Sequence, residues 1–304
     1  MKFGSVENPE SIDFTLPQDH PDTLKVLRAK GGDGFDVRVG CAKWNKQDLK
    51  NFYPRGTKDE LQYYSTQFNS IELNATFYQA YSPGQIEKWV EKTPEDFKFF
   101  PKINQGISHL RRLNNVSAMT EDFCNSISHL QGKLGMVFLQ VHDNFKPKDF
   151  DRLEQFVTDF PKGMPLAVEL RNTEWFNNKE DAERVYQLFE KNNVANIIVD
   201  TAGRRDLLHM RLTSPVAFIR YVGANHHPTD YTRLDPWIER ISQWKKEGLK
   251  ELNFFMHQNE ELESPKLCAY FIEKINPLFN LDLTVPLILE DSGKEKKVKK
   301  ETIK

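Results

Sequence analysis

Cysteine is scarce in this chain of 304 residues: Cys41, Cys124 and Cys268 are the only three, an odd number with no C-x-x-C spacing. That favours reduced thiols in a cytosol over a secreted disulfide framework. The opening residues MKFGSVENPE lack the apolar core of a signal peptide, and no run of about 18 apolar residues follows that would span a bilayer. We therefore expect a cytoplasmic protein without a membrane partner. Charge of one sign is also missing: the formal net charge is −2, which argues against wholesale coating of nucleic acid but leaves a local basic pocket open.

Several motifs are absent. There is no G-x-G-x-x-G turn, no G-x-S-x-G elbow, and neither H-x-H nor H-E-x-x-H spacing. Dinucleotide folds, serine-elbow hydrolases and the common zinc helices lose support accordingly, and no cofactor is indicated. No internal repeat or low-complexity linker suggests a second domain.

What the chain does contain is one pattern, repeated. Short runs rich in Val, Ile and Phe alternate with amphipathic stretches, as in successive βα units. The runs are FDVRVGC (35–41), NSIELN (69–74), FKFFPKI (97–103), LGMVFLQV (134–141), PLAVELR (165–171), VANIIVD (194–200), VAFIRYV (216–222) and ELNFFMH (251–257). Between them, Leu61, Tyr64 and Phe68 share a helical stripe, as do Phe150, Leu153, Val157 and Phe160. Asp235-Pro236 and Ser264-Pro265 read as N-caps followed by proline at the first helical position. Eight such units predict a (β/α)8 TIM-type barrel in a single domain, residues 35–284. An N-terminal extension, 1–34, and a basic tail, 285–304, flank it. The thirteen residues SGKEKKVKKETIK read as a solvated, disordered end.

In such a barrel one face of each strand packs under the helices while the other points inward, and the last inward residues line the mouth. In the second run Ile71 and Leu73 then face the helices, while Glu72 and Asn74 point in. The same alternation selects Lys102, Gln140 with His142 just beyond, Glu169 and Arg171, Asp200, Arg220 and His257. The first run instead offers Gly40 and Ala42, small enough to admit a ligand or another backbone. Cys41 falls on the helix-facing side, as a buried thiol would.

The segments VGCAKW, FYPRG, YYSTQFNSIELNATFY, TPEDFKFFPKINQGISH, LGMVFLQV and AVELRNTEW together resemble the YecE-like family, also called domain of unknown function 72. The resemblance runs from about residue 35 to 276. It implies a TIM-type barrel and places Glu72, Asn74, Lys102, His109, Gln140, Glu169 and Arg171 at the family's motif positions. It implies no reaction. Two departures stand out: Val222 occupies a position where the family pattern has histidine, and His257-Gln258 stand where it has a pair of asparagines.

Three functions suit this mouth. In the first, it takes a small anionic ligand, phosphorylated or carboxylated. Lys102, Arg171 and Arg220 then supply cationic donors, and Glu72, Glu169, Lys102 and His257 are the candidates for catalysis. Asn74, Gln140 and Asp200 complete the polar lining with His109, while Trp44, Tyr78 and Trp175 cover a ring or sugar face. In the second, Glu72, His109, His142, Glu169, Asp200 and His257 hold a metal in a barrel hydrolase or isomerase, though the three neighbouring cations would repel it. In the third, HLRRLNN (109–115) and the lysine tail contact nucleic acid or a protein partner. His226-His227 reads as part of a surface loop.

Overall fold

The computed structural model describes residues 4–225 and 227–289. The lysine-rich run 292–304 and His226 lie outside the described residues. Among the described residues nine parallel strands are formed: β1 (Asp36–Cys41), β2 (Ser70–Leu73), β3 (Lys98–Pro101), β4 (Val137–Gln140), β5 (Leu166–Glu169), β6 (Ala195–Asn196), β7 (Ile198–Thr201), β8 (Val216–Val222) and β9 (Glu251–His257). They alternate with α1 (Pro21–Lys30), α2 (Glu60–Gln67), α3 (Ala75–Tyr78), α4 (Pro83–Lys92), α5 (Ser117–Ser128), α6 (Phe150–Asp159), α7 (Glu174–Asn177), α8 (Lys179–Lys191), α9 (Pro228–Thr232), α10 (Leu234–Lys246) and α11 (Ser264–Phe279).

The strands lie in three ladders, β1-β9-β8-β7, β2-β3 and β4-β5-β6, instead of one closed sheet. Two isolated bridges, Phe99 to Leu134 and Lys102 to Phe138, tie β3 to β4. Between β1 and β2 the link is a side chain: Asn69 Nδ2 donates to Val37 O at 2.7 Å, and its Oδ1 accepts from Val39 N at 3.1 Å. Gly40 explains how closely these strands approach, since a Cβ there would stand 2.2 Å from Ser70 O. The neighbour its small size admits is therefore another backbone. The sixth apolar run is split because it changes partners. Ala195 and Asn196 pair with β5, and Ile198–Thr201 pair with β8.

Two apolar layers follow from the alternation. Ile71, Leu73, Phe99, Val137, Leu139, Val168, Ile219, Tyr221, Phe254 and Met256 pack under the helices. Phe100, Phe138, Ala167, Val199, Phe218 and Phe255 form a separate cluster on the opposite strand faces. Cys41 is buried on the helix side, its Sγ 3.8 Å from that of Cys268 on α11.

Helix starts differ in detail from the sequence reading. α10 begins at Leu234, one residue before the expected cap; Asp235 Oδ1 instead accepts from Tyr270 and Lys274. α11 begins at Ser264 itself, whose hydroxyl donates to Glu261. In both cases a side-chain partner outside the helix outcompetes the backbone N–H that a cap would serve.

Candidate functional site

Lys102, Gln140, Glu169, Arg220 and His257 continue the inner row begun by Phe100, Phe138, Ala167, Phe218 and Phe255, two residues on along each chain. Glu72 and Phe100 are register partners across β2 and β3, as are Gln140 and Glu169 across β4 and β5. The polar groups thus gather at the C-terminal ends of the strands, above an aromatic floor.

Arg220 organises them. Its Nε and Nη2 donate to the two carboxylate oxygens of Glu72, each at 2.9 Å, and its Nη1 donates to Glu169 Oε2 at 2.6 Å. Glu72 also accepts from Asn74 Nδ2 at 2.8 Å and has His257 Nε2 at 3.0 Å. Glu169 accepts from Arg171 Nε at 2.5 Å and from Gln140 Nε2 at 3.0 Å. Gln140 turns its Oε1 to Lys102 Nζ, 2.8 Å away. One network therefore joins residues from six strands or the turns that follow them.

Burial alone would raise the carboxyl of Glu72, but Arg220 and His257 beside it hold it well below the usual carboxylate range. Burial opposes ionisation of Glu169 in the same way; Arg171 and Arg220 prevail and hold it at about 2. Each carboxylate oxygen already has two partners, so near neutrality neither group is available to take up a proton. The amine differs. Burial, then Arg220 and Arg171, lowers Lys102 to about 7. His109 is lowered to about 4 by burial and by Lys102, His142 and Arg171.

Exposure differs within the network. The side chains of Glu72 and Glu169 are 0% and 1% exposed, whereas those of Arg171 and His257 keep 16% and 12%. The carboxylates are sealed, Arg220 and Lys102 are buried with them, and only Arg171 and His257 keep partial exposure. Lys102 lies 4.3 Å from the centroid of the Phe77 ring and, among the described residues, has no carboxylate within ion-pair distance. The His109 ring meets Phe77 and His142 edge-on, at 4.9 and 5.3 Å.

Not every expected lining residue belongs to this network. Asp200 points to the helix side, accepting from Arg233 Nη2 at 2.7 Å, Trp237 Nε1 at 2.7 Å and Arg205. Its parity was misread because Val199 and Thr201 are the inward members of that run. Trp175 is fully buried, stacked on Phe145 and donating to its carbonyl, so it covers no ligand. Trp44 packs edge-on against Trp89 of α4. Tyr78 is 69% exposed beside Phe77, with Leu110 also exposed nearby in sequence to His109. Phe77 itself was missed: the strand alternation ends at Asn74, where the chain turns into α3, so a period of two no longer reports direction there.

Of the residues of the metal reading, Glu72, Glu169 and His257 are tied up around Arg220, His109 meets His142, and Asp200 lies apart on the helix side. Among the described residues no group of three or more His, Cys, Asp and Glu is placed to hold an ion. The basic turn of the third reading follows a π-helical stretch, Gly106–Leu110, and carries Arg112, Leu113 and Asn115 at positive φ, with Arg111 and Arg112 exposed. No helix among the described residues is long and apolar enough to cross a membrane.

The family described as "Protein of unknown function DUF72" matches residues 38–285. The chain belongs to the DUF72 family. It is 25% identical to UPF0759 protein YecE of Escherichia coli K12 over 278 residues, covering 84% of this chain and 99% of that one. It is 31% identical to UPF0759 protein YunF of Bacillus subtilis over 150 residues, 46% of this chain and 52% of that one. Among solved structures, a DUF72 family protein of Thermotoga maritima superposes with a TM-score of 0.67 at 24% identity, covering 79% of this chain and 99% of that chain. One from Enterococcus faecalis also gives 0.67, at 20% identity, covering 84% and 100%. This DUF72 chain therefore shares the fold of both.

Proposed function

We propose that this DUF72 protein is built as a (β/α)8 barrel whose three ladders are its arcs, and that the mouth binds a small anionic ligand. The observation that carries this reading is a buried amine at the strand ends that, among the described residues, has no carboxylate within ion-pair distance. Two buried carboxylates are consumed by Arg220, Arg171, Gln140, Asn74 and His257, while Lys102 is left with the neutral Gln140 oxygen and the Phe77 ring, and Arg171 and His257 keep partial exposure. A buried ammonium without a carboxylate partner is costly, and a phosphate or carboxylate entering the mouth supplies the missing counter-charge. Arg171 offers a planar donor set suited to such groups, and Asn74 and Gln140 fix polar substituents beside it.

The experiment is thermal unfolding against inorganic phosphate, sulfate, pyruvate and a panel of phosphorylated sugars. A ligand that binds only the folded chain raises the midpoint with concentration. Midpoints indifferent to every anion in the panel would remove the reading.

A further inference from the structure

Resting on that anion reading, we propose that the ligand carries a carbonyl group beside its negative charge, as a small oxo acid does, and that Lys102 condenses with it to form a Schiff base.

The geometry isolates a single amine at the end of β3. Lys102 is 8% exposed. Its ammonium is set between the neutral oxygen of Gln140 at 2.8 Å and the face of Phe77 at 4.3 Å. Gln140 cannot rotate away, because its Nε2 is committed to both oxygens of Glu169 at 3.0 Å. One N–H of Lys102 is thus held in a fixed direction, leaving the lone pair of the neutral amine to point elsewhere. With a carboxylate partner the amine would stay locked as an ammonium, and the described residues place none within reach. Burial with two guanidiniums nearby brings it to about 7. About half of such amines are neutral at pH 7, against fewer than about one in a thousand for an ordinary lysine.

The chemistry balances without any added oxidant or reductant. The neutral nitrogen attacks the carbonyl carbon as the C=O π electrons move onto oxygen. A proton passes from nitrogen to that oxygen, giving a carbinolamine. Protonation of the hydroxyl and departure of water leave the C=N+ iminium. Counted from the ammonium, the sum is one carbonyl consumed and one water released, with no net change in protons. His109 packs against the same Phe77 ring and is neutral near pH 7, so it adds no charge beside the amine.

The test traps the iminium with sodium borohydride in the presence of pyruvate, or of acetone as a neutral carbonyl of similar size, followed by peptide mapping. We expect a reduced pyruvate adduct on Lys102, with labelling at least about tenfold faster than for any surface lysine, and much slower labelling by acetone. Adducts spread evenly over surface lysines, or none on Lys102, overturn the proposal. Pyruvate binding is measured in parallel by equilibrium dialysis without borohydride. Binding without a Lys102 adduct sinks the Schiff base but leaves the anion reading standing. Equal labelling of Lys102 by acetone and pyruvate keeps the amine and removes the anion. The wild-type map decides even if Lys102→Met does not fold; if it folds, it should lose the adduct and keep its circular dichroism.

Discussion

Arg220 and Glu72 face each other side-on, two nitrogens to two oxygens at 2.9 Å, across 148 residues of sequence. Arg220 simultaneously serves Glu169, so one guanidinium balances two buried carboxylates. Breaking a buried pair from one side leaves an uncompensated charge, which costs about 3–5 kcal/mol. Arg220→Met here orphans two carboxylates, so we expect at least the upper part of that range in urea denaturation. A loss below about 1 kcal/mol would show the cluster to be solvated and not sealed.

Acid should act through the carboxylates. Glu169 sits at about 2 when folded and near 4.3 when unfolded. Its stabilisation is therefore complete above about pH 4.5 and lost as pH falls toward 2, at up to about 1.4 kcal/mol per pH unit. Glu72, also lowered, adds to the same window. In a stability titration Glu169→Gln should be less stable at neutral pH yet flatter below pH 4.5 than wild type. Parallel curves would contradict the burial of this group.

The amine gives a slope of the same sign, but on the alkaline side. Lys102 is lowered to about 7 by burial, Arg220 and Arg171, against the pull of Glu169 and Glu72, with His109 also facing it. Below about 7 both folded and unfolded chains hold the proton; between about 7 and 10 only the unfolded chain does. Stability attributable to this group then rises with pH by about 1.4 kcal/mol per unit across that window. Subtracting the profile of Lys102→Met from that of wild type isolates it. A flat difference would mean the amine titrates normally.

Asp200 should separate from the mouth in function. It anchors Arg233, Arg205 and Trp237 on the helix side. Asp200→Ala is expected to destabilise by about 3–5 kcal/mol while leaving phosphate or pyruvate affinity, measured on the folded fraction, within about twofold of wild type. A selective loss of affinity with stability intact would return this residue to the site.

Gly40→Ala tests the contact between β1 and β2. The added methyl would meet Ser70 O at 2.2 Å, a backbone atom that cannot swing aside. Overpacking of this kind costs about 1–3 kcal/mol. Neutral behaviour in thermal unfolding would show that the two strands can part freely.

Alternation of polarity located most of the inner row because a strand side chain has only two directions. Glu72, Lys102, Gln140, Glu169, Arg220 and His257 all followed from that rule. It failed at Asp200, where the last charged residue of a run was taken for its inward member although Val199 sets the phase. It was silent beyond the strand ends. Trp44 lies on the loop after β1 and Trp175 on the short helix α7, where direction depends on packing against α4 and Phe145, and Phe77 lies on the short helix α3. Sequence also could not show that β1 reaches β2 through an asparagine side chain, since that depends on the spacing between two ladders.

The first described residues are held from far along the chain. Gly4 O accepts from Gly203 N at 2.9 Å, Phe14 O and Thr15 O accept from Arg205, and Asp19 holds Arg240 and Trp244. These bonds span 190 residues or more, so the closure entropy for each is met only once β7 and α10 already stand. We expect the segment to close late, as a clasp on strands already assembled. Hydrogen exchange should find its amides opening ahead of the strands, loosening that side of the mouth before the body of the protein gives way.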